Sequence, residues 1–450
     1  MSASARAAAE ETALVDDLTQ EGEGVVHGGK TAFVAGALPG ERIRFRRTRG
    51  HRQHDEGELL EVLEPSALRV TPRCAHFGVC GGCALQHLSP AGQLAAKERE
   101  LTECLTRVGR VTPARVLPAL TGPFWAYRRR ARLGARYVYK KGRVLVGFRE
   151  RAGFYLADLA HCDVLAAPVG ELITPLAEVL TELSIRAEVP QIEVAVADNA
   201  TALVLRTLVP PSDADLARLE EFARAHGVRL YLQPGGLESL RELGCAGSAL
   251  FYRLERSGVE LEFAPTDFIQ VNGGVNAALV ERALELLEPT GESMVLDLFC
   301  GLGNFTLPLA RHARRVVGIE GDAALIERAR GNARRNGIAN AEFHRADLGG
   351  AHLAGLPWMR ERYTHVLLDP PRTGAQPVLA SLAALAPARL LYISCHPGTL
   401  ARDLGELVHE HGFTLDAAGI VDMFPHTKHV ESLALLSAPS QGAKHIPGPT

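Results

Sequence analysis

The chain is short of several features, and each shortage excludes a class of protein. No apolar run approaches the ~20 residues needed to cross a bilayer, so a transmembrane protein is not expected. The opening stretch MSASARAAAEETALVDD has no apolar h-region and carries Glu10, Glu11, Asp16 and Asp17, which argues against a secretory signal. Cysteine is scarce: 8 in 450 residues, irregularly spaced, too few for a secreted disulfide scaffold. The expectation is a reducing, cytoplasmic compartment in which thiols serve metal binding or chemistry. A net charge of only −3 announces no polyanion partner. There is no phosphate-cradling Walker lysine either.

What is present is the composition of a globular protein, 46% hydrophobic and 22% charged, in a chain too long for one core. Residues 13–72 hold short alternating runs with Gly-rich turns, which predicts a small five-stranded barrel of the OB type. Residues 73–264 open with a cysteine cluster and return to strand-like patterning, read as a middle α+β domain. Residues 265–438 alternate strands and helices at ~25-residue spacing, which predicts an α/β domain with a doubly wound, mostly parallel sheet. Residues 1–12 and 439–450 read as tails. Charge is unevenly spread. Arg42 to His54 holds six arginines and no acid, and Arg128 to Arg143 holds eight Lys or Arg around Tyr137 and Tyr139. Basic stretches with aromatics suit nucleic acid; solvated sheet faces are the bland alternative.

VLDLFCGLGNFTLPLA, residues 295–310, reads as a strand, a glycine turn and a helix start. Gly301 and Gly303 let a ligand approach the backbone, but Thr306 stands where a dinucleotide fingerprint has its third glycine. A ligand without phosphates fits better. Glu320 ends the next strand, 19 residues after Gly301, where a carboxylate accepts hydrogen bonds from ribose hydroxyls. Asp347 ends the third strand and Asp369, in DPPRTG, the fourth. Cys395 follows the apolar run Leu390 to Ile393 and precedes the turn His396-Pro397-Gly398. A thiol at the C-terminal lip of such a sheet is a candidate nucleophile. The ordered carboxylates and glycines resemble the class I S-adenosylmethionine (SAM) methyltransferase fold.

FIQVN (268–272), DPPRTG, SCHPGTLARDL and HVESLALL together resemble the RNA uracil-C5-methyltransferase family. CAHFGVCGGCALQHL and the barrel with GKTAFVAGALPGE resemble its bacterial 23S ribosomal RNA members, which carry an N-terminal TRAM domain. The likeness covers roughly residues 13–438. It implies Cys395 as the nucleophile that adds to C6 of uracil and Glu431 as the acceptor of the C5 proton. It implies a SAM pocket lined by Gln270, Phe299, Asn304, Glu320, Asp347 and Asp369. Arg372 stands after the two prolines, where cysteine-type RNA cytosine methyltransferases carry a second cysteine, and so favours uracil over cytosine. The expected partner is an unpaired segment of 23S ribosomal RNA with the target uridine flipped out of its stack, and the expected protein is a monomer. Transfer RNA as substrate is the alternative, as is a non-catalytic iron–sulfur RNA-binding protein.

Cys74-x5-Cys80-x2-Cys83 is a close-spaced triad that needs a fourth thiolate to close a site. Spacing alone leaves zinc and an iron–sulfur cluster open. The resemblance implies a [4Fe-4S] cluster with Cys162 as the fourth ligand. Cys104, Cys245 and Cys300 read as packing residues.

Overall fold

The computed structural model describes residues 9–151, 153–244, 247–350, 353 and 355–439. Residues 1–8 and 440–450 of the expected tails, and Cys245, lie outside the described residues. The chain divides into two compact units. The first holds residues 1–100, 148–157 and 424–428, and the second holds the rest.

In the first unit, six strands form one sheet: β1 (Glu10–Leu14), β2 (Asp17–Leu18), β3 (Glu23–Val26), β4 (Ala32–Ala35), β5 (Arg42–Gly50) and β6 (Asp55–Glu64). Their order is β1-β5-β6-β4-β3-β2. The two edge strands are joined by Val15 and Asp16 alone. Val15 N–H donates to the Glu41 carbonyl at 2.9 Å and Asp16 N–H to the Val25 carbonyl at 2.8 Å. One run therefore changes partner in mid-course, which turns the expected five strands into six and removes the open edge. Val15, Val26, Val34, Ile43 and Phe45 fill the interior.

The expected basic patch of the barrel is largely neutralised. Arg42, Arg44, Arg46, Arg47 and Arg49 of β5 form ion pairs with Glu64, Glu61, Glu58, Glu11 and Glu56 of the neighbouring strands. The reason is register: Arg42, Arg44, Arg46 and Arg49 lie opposite Glu64, Glu61, Glu58 and Glu56 of β6, while Arg47, opposite Gly57, reaches Glu11 and Asp55.

The second unit contains two large sheets. The first has the order β13-β12-β11-β10-β8-β9. Its strands are β8 (Arg130–Val138), β9 (Arg143–Gly147), β10 (Gln191–Val196), β11 (Thr201–Arg206), β12 (Val228–Gln233) and β13 (Arg241–Glu242), with helices α2 (Ile173–Glu182) and α3 (Asp213–His226) between them. Here too cations are paired: Arg129 with Asp198, Arg130 and Arg132 with Glu193, and Lys141 and Arg143 with Asp158.

The second sheet has eight strands in the order β18-β17-β16-β19-β20-β22-β21-β7. The five from β18 to β20 are parallel: β16 (Met294–Leu298), β17 (Arg315–Glu320), β18 (Ala341–Arg345), β19 (His365–Leu368) and β20 (Arg389–Ser394). Such runs as HVLL and LLYIS are buried throughout, as strands covered on both faces must be. The antiparallel β22 (Glu431–Ser437) inserts between β20 and β21 (Thr414–Val421). The outermost strand, β7 (Arg115–Val116), comes from 179 residues before β16 begins and was not expected in this sheet. Helices α4 (Gly273–Leu287), α6 (Ala323–Arg335), α7 (Gln376–Leu385) and α8 (Pro397–His409) connect these strands. The helix after the glycine turn, α5 (Thr306–Ala310), is only five residues long.

A hairpin, β14 (Leu250–Leu254) and β15 (Val259–Phe263), lies against α6. Asn332 and Asn336, one turn apart, each donate to and accept from the β15 backbone at Glu262 and Glu260. The two side-chain amides act as a substitute strand edge.

Candidate active site

Register brings the side chains of Asp369, Cys395 and Glu431 to one end of the eight-stranded sheet. Leu368 pairs with Tyr392, so Asp369 leaves β19 beside the C-terminal end of β20. Ser394 pairs with Ser432, so Cys395, one residue on, lies beside Glu431, one residue back. Cys395 is half-buried and Glu431 buried. Burial pushes the Cys395 thiol up, and the charges of Glu431 and Asp369 push it further; the Arg372 guanidinium opposes them. Right after the thiol, His396 caps α8, its Nδ1 accepting from Thr399 N–H at 3.2 Å.

The loop carrying Asp369 and Arg372 is tied to α8. Asp403, fully buried, accepts from Ala375 N–H at 2.8 Å and from the Tyr392 hydroxyl at 2.5 Å through Oδ2. Its Oδ1 accepts from Arg402 Nε at 2.8 Å, and Arg402 Nη2 donates to the Thr373 carbonyl at 3.0 Å. Thr399 Oγ1 donates to the Arg372 carbonyl at 3.2 Å. Gly374 has φ +84°, and a Cβ there would lie 2.5 Å from Asp403 Oδ2, so this turn admits only glycine. Sequence reading missed Asp403, although a lone acid on the inward face of a helix after a candidate nucleophile is a legible signal.

Beside this lies a cradle at the ends of β16 and β17. Phe299, at φ +66°, turns the chain in a conformation rare for residues other than glycine. A Cβ on Gly301 would meet nothing within 4 Å, leaving open space over the turn. Glu320 Oε2 accepts from Gly301 N–H at 3.1 Å, while Oε1 accepts from Gly321 and Asp322 N–H at 2.7 and 3.0 Å. Asn304 and Asn276 exchange a reciprocal pair of 2.9 Å hydrogen bonds, and Tyr252 donates to Asn304 Oδ1 at 2.9 Å. Asp347 is exposed two residues beyond β18, and Gln270, half-buried, precedes α4.

Asp297, also missed, is fully buried in β16. Its Oδ2 accepts from the Thr306 hydroxyl at 2.5 Å and its Oδ1 has no partner. Burial, joined by the charges of Asp369 and Glu320, pushes its carboxyl up to about 7. Burial pushes Asp369 up to about 7 as well. SAM carries two cations, a sulfonium and an ammonium; the unpartnered Asp297 Oδ1, the neighbouring carboxyls of Glu320 and Asp369 and the open turn at Gly301 fit this cofactor.

The four metal-ligand candidates are distributed over the two units. Cys74, Cys80 and Cys83 share one loop of the first unit and Cys162 lies in the second. In the loop, Cys80 N–H donates to the His76 carbonyl at 2.9 Å and Gly82 N–H points at Cys80 Sγ at 3.4 Å. A Cys80 thiol served by a backbone N–H donor suits an iron–sulfur cluster, whose sulfurs accept such bonds. Among the described residues no group of three or more His, Cys, Asp or Glu is gathered as a metal site. Cys300 is buried, and burial raises its thiol well above the usual range. No described helix is long and apolar enough to cross a membrane.

Comparison with known proteins gives one family. The family described as tRNA (Uracil-5-)-methyltransferase matches residues 219–439. The 23S rRNA (uracil(1939)-C(5))-methyltransferase RlmD of Xanthomonas euvesicatoria is 50% identical over 425 residues, 94% of this chain and 96% of the relative. That of Xylella fastidiosa is 51% identical over 423 residues, 93% and 95% of the two chains. That of Alkalilimnicola ehrlichii is 51% identical over 429 residues, 95% and 96%. Among solved structures, the tRNA (uracil-54, C5)-methyltransferase of Pyrococcus abyssi, in complex with S-adenosyl-L-homocysteine, superposes with a TM-score of 0.72. It is 24% identical, with 95% of this chain and 100% of that chain covered, and shows the same fold.

Proposed function

The chain belongs to the RNA (uracil-C5)-methyltransferase family, and from that premise we propose that it methylates C5 of one uridine in 23S ribosomal RNA, with SAM as donor. The observation that carries the reading is the meeting of Cys395, Asp369 and Glu431 at adjacent strand ends.

C5 of uracil is too weak a nucleophile to attack a methyl sulfonium unaided. Cys395 thiolate adds to C6, and the electron pair of the C5–C6 bond becomes available at C5. When bound, SAM supplies an electrophilic methyl group. Once C5 has taken it, Glu431 accepts the C5 proton and the C5–C6 double bond re-forms as Cys395 sulfur leaves. The proton carried off by Glu431 balances the methyl gained. Gln270, Phe299, Asn304, Glu320, Asp347 and Asp369 would hold the donor, with Asp297 buried in β16 before the turn. Arg372 favours uracil and restrains the rise of the thiol. The uridine is flipped out of an unpaired segment to reach Cys395.

Cys74, Cys80, Cys83 and Cys162 would hold a [4Fe-4S] cluster, which with four protein ligands has a structural role. The protein acts as a monomer in the cytoplasm, where thiol ligands stay reduced. Residues 265–438 carry the chemistry, residues 13–72 form a TRAM-type barrel to which β1 adds Glu10–Thr12 of the expected N-terminal tail, and residues 73–264 carry the cysteine ligands.

The test uses purified protein, labelled SAM and transcripts of 23S ribosomal RNA and of transfer RNAs. The expected product is 5-methyluridine in the ribosomal transcript alone. Methylation confined to transfer RNA would reassign the substrate, and product formed by Cys395→Ala would overturn the mechanism. Iron and sulfide at four each per chain are expected; one zinc would replace the cluster.

A further inference from the structure

The cysteine loop does more than carry thiols. In the first unit, Gly81 N–H donates to the Arg149 carbonyl and Arg151 N–H to the Val79 carbonyl, both at 2.8 Å. Residues 148–151 pair with residues 153–157: Glu150 N–H donates to the Tyr155 carbonyl and Ala157 N–H to the Phe148 carbonyl, both at 2.9 Å. Three short segments thus form one miniature ladder with bridges at Cys80–Glu150 and Arg149–Leu156. Near its tip stand two consecutive aromatic residues, Phe154 at 89% and Tyr155 at 68% exposure. Rings of this size normally bury most of their surface. Two of them exposed in succession, with the Tyr155 carbonyl held in the ladder by Glu150 N–H, offer a surface for a flat apolar partner.

Charge identifies that partner. Arg149 is exposed and forms no ion pair among the described residues. Arg151 is held only loosely, 3.7 Å from Glu23. The basic runs legible in the sequence, by contrast, are mostly consumed by carboxylates. We propose that Phe154 and Tyr155, with Arg149, form a stacking platform for unpaired nucleotides of the RNA substrate: the rings take bases and Arg149 a phosphate. The proposal rests on the reading of RNA as substrate. Every base has a π-face, so the platform adds affinity without reading sequence. The ladder holds the backbone on either side of the rings, at Glu150 and Tyr155, which limits the entropy lost on binding.

The experiment compares full-length wild type with Phe154→Ala/Tyr155→Ala, using a fluorescent 23S ribosomal RNA transcript and methyl-transfer kinetics. Both side chains are exposed, so folding is unaffected. The double variant is expected to bind the transcript roughly 30- to 100-fold more weakly, from about tenfold per stacked base. KM for RNA rises in step, while kcat and SAM affinity stay at wild-type values. Phe154→Trp/Tyr155→Phe restores binding. Arg149→Ala lowers the slope of log affinity against log salt by about 1. Unchanged RNA affinity and KM in the double variant would overturn the platform, as would loss of binding to a protein partner in its place. Failure of wild type itself to bind or methylate the transcript would instead defeat the functional reading beneath it.

Discussion

Replacing Asp403 by alanine tests whether the proposed nucleophile, Cys395, and the loop facing it are held as one piece. The carboxylate is fully buried and joins Tyr392 of β20, Ala375 of the Asp369 loop and Arg402 of α8. Hydrogen bonds to a charged acceptor contribute about 1.5–3 kcal/mol each. Ala375 N–H keeps a second acceptor, the Tyr392 hydroxyl at 2.9 Å, so its loss is partial. The Tyr392 hydroxyl itself is left buried and without an acceptor. The Arg402 pair is partly solvated and adds at most ~1 kcal/mol. The total is about 3–5 kcal/mol of local stability. Hydrogen exchange read by mass spectrometry reports it at the site: the Ala375 amide should exchange roughly 100- to 4,000-fold faster in Asp403→Ala. Methyl transfer should fall through kcat ahead of SAM affinity, because Asp369 and Arg372 ride on the loosened loop. Asp403→Asn keeps an oxygen for Tyr392 and Ala375 and should recover most of the protection. Exchange within threefold of wild type in the alanine variant would refute the reasoning.

Other outcomes follow from the same geometry. Cys395→Ala should abolish methylation without changing SAM binding measured by calorimetry. Glu431→Gln should add to C6 and accept the methyl but not shed the C5 proton, so a covalent protein–RNA band should persist on a denaturing gel. Because burial and the neighbouring carboxylates raise the Cys395 thiol, kcat/KM should climb about tenfold per pH unit through pH 7–9. Arg372→Ala should move that rise to higher pH. Asp297 is pushed up to about 7 from a normal 3.8. Its folded form holds the proton more tightly, so the stability it contributes is full below about 4 and is lost as pH rises through about 7. Thermal melting of the SAM-free protein should therefore fall between pH 5 and 8, and less steeply in Asp297→Asn.

The sequence by itself determined the catalytic fold, because its signals are local. Continuous apolar runs alternating with helical segments specify a covered parallel sheet, and a thiol after such a run marks the sheet's reactive end. Phe299, Gly301 and Glu320 are likewise read from turn and strand-end positions. Other features were decided only in three dimensions. A run of arginines looks free until register sets carboxylates opposite Arg42, Arg44, Arg46 and Arg49. The split of the first strand at Val15–Asp16 depends on partners at Glu41 and Val25. Asp403 gains its meaning from a loop 28 residues away. Glu431 meets Cys395 because β22 runs antiparallel beside β20, a pairing no local pattern encodes. The physical reason is the same each time: periodicity fixes which way a side chain points, while its neighbours are fixed by strand pairing between distant segments of the chain.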